Sequence, residues 1–327
     1  MSETKGKIAV LTSGGDAPGM NAAVRAVVRT GIARGYEVYG IHHGYNGILR
    51  QEMKKLAFED VSEKIQHGGT FLFTARSAEF GTPEGKVKAA AICKEMGIET
   101  LIVIGGDGSF TGAKDLSKHG INIIGIPGTI DLDIAYTEYT IGFDTAVNTA
   151  MEAIDRIRET SNSHERCSVV EVMGRSAGYI ALWCGVANGA EEILLPEKFD
   201  HDYDKLIEQI KKNRHSGMTH QIIINAEGIG HSTELAERIE NETGIETRAS
   251  ILGHMQRGGS PTARDRMYAS MMGAYAVDVI DQGKKNRLIG YKDGHIYDVD
   301  VDEAFAMTKS IDEYEYEIAG ILGTRTE

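Results

Sequence analysis

Three short apolar runs, each rich in β-branched residues and each followed at once by a glycine-rich polar loop, constrain the fold of this chain more than any other feature. They are Ile8–Thr12 before Ser13-Gly14-Gly15-Asp16, Leu101–Ile104 before Gly105-Gly106-Asp107-Gly108-Ser109, and Ile121–Ile126 before Pro127-Gly128-Thr129-Ile130-Asp131-Leu132-Asp133. A strand that is apolar on both faces is buried on both, which is the condition of a central parallel strand. The first run leads into a helical stretch over 21–34 and the second into another helix. Strands alternating with helices specify a doubly wound α/β sheet. The pattern resumes after a long helix expected over 145–159, on which Val147, Met151, Ile154 and Arg158 share one stripe. Further strands are expected at 168–172, 192–195 and 221–225, a helix over 262–281, and a hairpin turning at Asp293-Gly294. These segments make up two Rossmann-like lobes with largely parallel sheets.

Parallel strands bring their carboxyl ends to one edge, and ligands bind there. Glycine lets backbone N–H groups approach an anion without a Cβ in the way, and a helix starting just after such a loop adds a favourable dipole. The three loops therefore read as phosphate cradles. They also carry the carboxylates Asp107, Asp131 and Asp133. In an anion site a carboxylate is useful if Mg²⁺ lies between it and the phosphates, or if it takes a proton. The plain alternative is a helix cap. The i, i+2 spacing of Asp131 and Asp133 in an extended loop would direct both to one side. Gly81-Thr82-Pro83-Glu84-Gly85-Lys86 is one spacer short of a Walker A loop and lacks its Ser/Thr, and the segment from Gly105 misses the dinucleotide glycine spacing.

Lys and Arg number 35 and Asp and Glu 48, a net charge of −13, which argues against a general binder of nucleic acid or anionic membrane. Phosphorylated ligands would have to be gripped by local arginines. Arg76, Arg166, Arg175, Arg248 and Arg257 all lie beside turn residues, and the guanidinium fork matches phosphate oxygens in pairs. Cys93, Cys167 and Cys184 form no CxxC pair, so they read as buried small hydrophobes in a reducing compartment rather than as zinc ligands or a disulfide framework. The opening segment MSETKGKIAVLTSGG lacks the apolar core of a signal peptide, and no run reaches the roughly 18 apolar residues of a membrane span. A cytoplasmic location is expected.

Taken together, the blocks LTSGGDAPGMNA (11–22), GGTF (68–71), IGGDGS (104–109), PGTID (127–131), VVEVMGRSAG (169–178) and LGHMQRGGSPTARDR (252–266) closely resemble the bacterial ATP-dependent 6-phosphofructokinases, over nearly the whole length. The resemblance implies phosphoryl transfer from Mg-ATP to the 1-hydroxyl of fructose 6-phosphate. It implies an ATP-binding lobe over 1–142 and 256–306, a sugar-phosphate lobe over 143–255 and 307–327, and an active site in the cleft between them. Gly14, Tyr45, Arg76, Ser77, Gly106, Gly108 and Ser109 would bind the nucleotide, with Tyr45 packing by the adenine and Asp107 holding Mg²⁺. Asp131 would be the base, with Thr129 and Asp133 beside it and Arg175 steadying the transferred group. Met173, Gly174, Glu227, His254 and Arg257 would hold the sugar phosphate, joined by Arg166 and Arg248 from a neighbouring subunit, in a homo-oligomer expected to be a tetramer.

The resemblance also implies a second site for ADP and phosphoenolpyruvate, matched here by Arg25, Arg29, Arg158, Glu191 and His220. Phe58, Ser216 and Met218 stand where well-regulated members have cations, which predicts weak or altered control. Leu132 replaces the usual Asn between the two aspartates. Relatives that use pyrophosphate carry larger, charged residues at Gly108 and Gly128, so the glycines favour ATP. The alternatives are a pyrophosphate-dependent enzyme, a NAD kinase-like or diacylglycerol kinase-like fold that also uses GGDG, and a non-catalytic nucleotide sensor. The PGTID block and the MGR segment argue against the second, and Asp107 and Asp131 together argue against the third.

Overall fold

The structure is a computed structural model that describes residues 4–323. Its strands in chain order are β1 (Lys7–Thr12), β2 (Glu37–Ile41), β3 (Met53–Lys55), β4 (Ile98–Gly105), β5 (Asn122–Pro127), β6 (Cys167–Val172), β7 (Glu192–Leu194), β8 (Gln221–Ala226), β9 (Thr247–Ile251), β10 (Arg287–Lys292) and β11 (His295–Asp300). Two compact units divide the chain. The first takes in everything up to Ile130, Ile134–Thr145 and Arg257–Lys309; the second takes in Asp131–Asp133, Ala146–Gln256 and the chain from Ser310.

The first unit is built on a seven-stranded sheet of order β11-β10-β5-β4-β1-β2-β3. Its five inner strands pair in parallel, and each outer edge is closed by an antiparallel partner, β3 on β2 and β11 on β10. The apolar runs occupy the middle: Val10, Leu11, Leu101, Ile102, Val103, Ile104, Ile123, Ile124 and Ile126 are fully buried. At about 1.5–3 kcal/mol per buried aliphatic side chain, this is the main source of the unit's stability. The β10–β11 hairpin turns at Asp293 and Gly294, both with positive φ (49° and 81°), the geometry of a type I′ turn. The helices Met20–Ala33 and Ala263–Asp281 pack closely: a Cβ on Gly273 would lie 2.6 Å from the Ala23 carbonyl oxygen.

Within this unit Asp265, fully buried, serves the start of the helix Phe143–His164. Its carboxylate accepts the Gly142 N–H at 2.7 Å and the Thr145 N–H at 2.8 Å, together with the hydroxyls of Tyr139 and Thr145. These are N–H groups that a helix start leaves without intrahelical partners. That helix runs longer than the 145–159 stretch expected from its stripe. It also starts well after Asp133, so the third glycine loop, unlike the first two, does not open directly into a helix.

The second unit is a four-stranded, fully parallel sheet of order β7-β8-β6-β9. Val169, Val170, Ile222, Ile223 and Ile224 form its buried centre. Cys167 and Cys184 lie here and Cys93 in the first unit; all three are buried free thiols, and burial pushes Cys93 up to about 11. No helix among the described residues is long and apolar enough to cross a membrane.

Candidate active site

In the first unit the carboxyl ends of β1, β4 and β5 deliver the three glycine loops to one edge. The loops are hydrogen-bonded across that edge: Ser13 N–H donates to the Ile104 carbonyl and Gly128 N–H to the Gly105 carbonyl, each at 3.0 Å. Gly105 is required by close approach, since a Cβ there would lie 2.5 Å from the Ser13 carbonyl oxygen and 2.6 Å from Ser109 Oγ. Gly14 has φ 86°, and a Cβ on it would meet Ser109 Oγ at 3.3 Å. A Cβ on Gly106 would come within 3.6 Å of Thr129. Gly14, Gly106, Ser109 and Thr129 are thus brought together around Gly105, the position where a side chain could not be accommodated.

Asp107 begins the helix Asp107–Ser117 and is exposed, so its carboxylate stands at the positive end of a helix dipole. Gly108 follows it with nothing within 4 Å of where a Cβ would be, whereas a Cβ on Gly128 would touch Ile104 and Met20 at 3.0 and 3.2 Å. Only the first of these two glycines opens onto free space; the second is a packing glycine. Arg76 is exposed. The Ser77 hydroxyl accepts the Phe80 N–H at 3.2 Å, which fixes the turn that follows.

Two expected ligand residues are otherwise occupied. Tyr45 is 6% exposed, stacked on Phe80 with centroids 4.1 Å apart, and its hydroxyl donates to the Ser109 carbonyl. It is a prop for the second loop rather than an open aromatic face. Arg257 Nη1 donates to the Asp16 carbonyl at 3.1 Å, and a Cβ on Gly15 would lie 2.6 Å from that nitrogen. The structure therefore places Arg257 against the first glycine loop.

The third loop corrects an expectation of side-chain direction. Leu132 has φ 57°, a left-handed conformation, so Asp131 and Asp133 are not related by the alternation of an extended strand. Asp131 is 7% exposed and Asp133 more open. At that backbone conformation a branched side chain such as Leu132 is strained, whereas Asn would be at ease.

In the second unit the carboxyl ends of β6 and β8 carry Met173, Gly174, Arg175 and Glu227. Met173 N–H donates to Gln256 Oε1 at 2.8 Å, which draws the short helix Gly253–Arg257, and His254 with it, to the same edge. Burial, then the carboxylates of Glu197 and Asp133, push Tyr179 up to about 12, so Asp133 is electrostatically close to the start of the helix Tyr179–Asn188 that follows this loop. Arg166 and Arg248 are not part of this group. They flank the amino ends of β6 and β9, where both pair with Glu246, at 2.8 and 2.7 Å. The side-chain hydrogen bond from Arg166 holds the Glu246 carboxyl below its ordinary value. The six residues of β6, at about 3.3 Å each, put roughly 20 Å between the two arginines and the Met173 loop.

The residues matched to a second site are found in both units. In the first, burial and then the neighbouring Arg29 lower the Arg25 pKa; Arg29 donates to Ser62 Oγ and stacks over Phe58, 3.9 Å from its ring centroid. In the second, Arg158 faces Glu191 at 3.5 Å, and His220 immediately precedes β8.

What the residue pattern does not reveal is Asp265. In Thr262-Ala263-Arg264-Asp265 it reads as the fourth member of a capping box, and Thr262 Oγ1 does accept the Asp265 N–H, but the carboxylate serves the start of another helix.

A family model described as Phosphofructokinase matches residues 7–280. A Clostridium botulinum protein named ATP-dependent 6-phosphofructokinase is 58% identical over 315 residues, 96% of this chain and 98% of the relative. ATP-dependent 6-phosphofructokinase 1 of Clostridium perfringens is 57% identical over 316 residues, 97% of this chain and 99% of the relative. The solved phosphofructokinase of Saccharomyces cerevisiae matches 98% of this chain with a TM-score of 0.86 at 37% identity; this chain spans about half, 48%, of that longer one. The chain belongs to the phosphofructokinase family.

Proposed function

We infer that this chain transfers the γ-phosphoryl group of ATP to the 1-hydroxyl of fructose 6-phosphate, giving fructose 1,6-bisphosphate and ADP, the committed step of glycolysis, in the cytoplasm. The observation that carries the reading is the interlock of the first two glycine loops at Gly105, with the Asp107 carboxylate at the helix start beside them. Relatives matched almost end to end bear the name of this activity.

Gly14, Gly106, Gly108, Ser109, Arg76 and Ser77 hold the nucleotide, with Tyr45 acting through the Ser109 carbonyl. Among the described residues no three His, Cys, Asp or Glu side chains cluster to hold a metal alone. An exposed carboxylate beside a phosphate cradle fits Mg²⁺, which takes one or two carboxylates and completes its shell with phosphates and water. Asp107 would hold it, and bound there Mg²⁺ supplies neutralisation of the polyphosphate charge. On the sugar side, Met173, Gly174, Glu227 and His254 hold fructose 6-phosphate, with Arg257 leaving the Asp16 carbonyl to join them. Asp131 accepts the proton of the 1-hydroxyl, an alcohol far too weakly acidic to attack unaided, with Thr129 and Asp133 beside it. Arg175 meets the charge on the transferred group, whose transition state is loose and asks the protein mainly for position and charge.

Arg166 and Arg248 sit at the opposite end of their sheet from the sugar loops of the same chain. This supports their serving a neighbouring subunit's 6-phosphate, and so a homo-oligomer with shared sites, proposed as a tetramer. Stacking of Phe58 on Arg29 supports weak or altered response to ADP or phosphoenolpyruvate. Open space at Gly108 favours ATP over pyrophosphate. A coupled assay with fructose 6-phosphate, Mg²⁺ and either donor tests the reading: turnover with ATP and none with pyrophosphate is expected, and the reverse overturns it.

A further inference from the structure

Arg175 does not occupy its position cheaply. It follows β6 with φ 57°, directly after Gly174 at φ 149°. The Ala177 N–H donates to the Gly174 carbonyl at 2.9 Å, which closes a tight turn with Arg175 as its first central residue. A side chain bearing a Cβ in the left-handed region costs about 1–2 kcal/mol, and such residues persist only where their surroundings over-determine them.

The over-determination comes from the loop after β8, the strand paired beside β6. Glu227 Oε2 accepts the Gly174 N–H at 3.2 Å and the Arg175 N–H at 2.9 Å. The Glu227 N–H in turn donates to the Val172 carbonyl at 2.9 Å, so the clamp is anchored to the strand it steadies. Gly228 lies against the other side of the turn. A Cβ there would stand 2.7 Å from the Arg175 carbonyl oxygen and 2.6 Å from Pro196 Cγ. One residue ties the turn by charge-assisted bonds, and the next leaves it the space it needs.

We propose that Glu227 is a positioning residue: its carboxylate holds the Gly174–Ala177 turn in the left-handed form that aims Arg175, and Gly228 admits that turn. This rests on the reading of Arg175 as the group that meets the phosphoryl charge. It adds to Glu227 a role distinct from contact with the sugar. Removing a contact made equally in ground and transition states raises KM and leaves kcat. Removing a clamp misplaces Arg175, and an error of about 1 Å costs up to about 10²-fold in rate.

The test is steady-state kinetics on the full-length protein carrying Glu227→Ala, Glu227→Gln, Arg175→Ala and the Glu227→Ala/Arg175→Ala pair, with thermal unfolding of each. Glu227→Ala is expected to lower kcat about 10- to 100-fold. Glu227→Gln, which keeps a carbonyl acceptor for the two N–H groups, should restore most of it. In the pair, kcat should fall no further than in Arg175→Ala alone, because the clamp then has nothing to aim. Gly228→Ala should reproduce the kcat loss without removing any polar group. Should Glu227→Ala fail to fold, Glu227→Asp, which withdraws the carboxylate by one methylene, is expected to give the same kcat loss. A rise in KM for fructose 6-phosphate with kcat within about twofold, or losses that multiply in the pair, overturns the proposal while leaving Arg175's role intact. Unchanged kcat in Arg175→Ala would instead overturn the reading of Arg175, and the clamp with it.

Discussion

Replacing Asp265 by asparagine should loosen the start of the helix Phe143–His164 and the Tyr139–Gly142 segment that leads into it. The wild-type carboxylate accepts four donors with no exposure to solvent: two backbone N–H groups, of Gly142 and Thr145, and two hydroxyls, of Tyr139 and Thr145. Asparagine keeps one oxygen, so two of the four are lost, and its NH₂ is pressed against donors. Hydrogen bonds to a charged acceptor are worth about 1.5–3 kcal/mol each, and stranded buried donors add their own desolvation penalty. The expected loss is therefore about 3–6 kcal/mol, a large share of the roughly 5–15 kcal/mol that holds a domain. At about 2–4 °C per kcal/mol, Tm should drop by roughly 6–24 °C in calorimetry or a dye-based melt. A drop under about 2 °C would mean that Asp265 is not the tie described, because no rearrangement within a fully buried pocket could supply the two stranded donors with new partners at so little cost.

Gly105→Ala should raise KM for ATP at least about tenfold and lower stability by about 1–3 kcal/mol, because the new methyl would force the Ser13 and Ser109 loops apart; unchanged KM would refute the interlock. Burial, aided by the neighbouring Glu191, raises Glu192 to about 7. A carboxyl with a raised folded-state pKa favours folding while protonated and loses that contribution as pH climbs from its ordinary value through about 7. Glu192→Gln should therefore come closest to wild type near pH 4 and exceed it by about 1–3 kcal/mol near pH 8.5, read as Tm against pH; a gap that does not widen with pH would refute this.

Much of the first unit is legible in the chain because its inner strands are buried on both faces and so advertise themselves as unbroken apolar runs. The same is true of the Asp293-Gly294 hairpin, where both residues tolerate positive φ. Strands β2 and β9 carry mixed sequences, Glu37-Val38-Tyr39-Gly40-Ile41 and Thr247-Arg248-Ala249-Ser250-Ile251, and show no such run. The glycine loops are legible as loops, but spacing alone cannot say which glycine is packed and which opens outward; Gly108 and Gly128 look alike in the chain and differ in their surroundings. The i, i+2 rule misleads at Asp131 and Asp133, because it assumes an extended residue between them and Leu132 is left-handed. Tertiary partners account for the rest. Nothing near Tyr45 in the chain announces Phe80 or the Ser109 carbonyl, and nothing near Asp265 announces Gly142 and Thr145.

The most direct measurement is kcat of Asp131→Ser with fructose 6-phosphate and Mg-ATP, alongside the affinity for the nucleotide. With the proton acceptor gone and the glycine cradle untouched, kcat should fall roughly 10²–10⁴-fold while nucleotide affinity changes little. A kcat near that of wild type would contradict the account, since the 1-hydroxyl would then be giving up its proton to some other group.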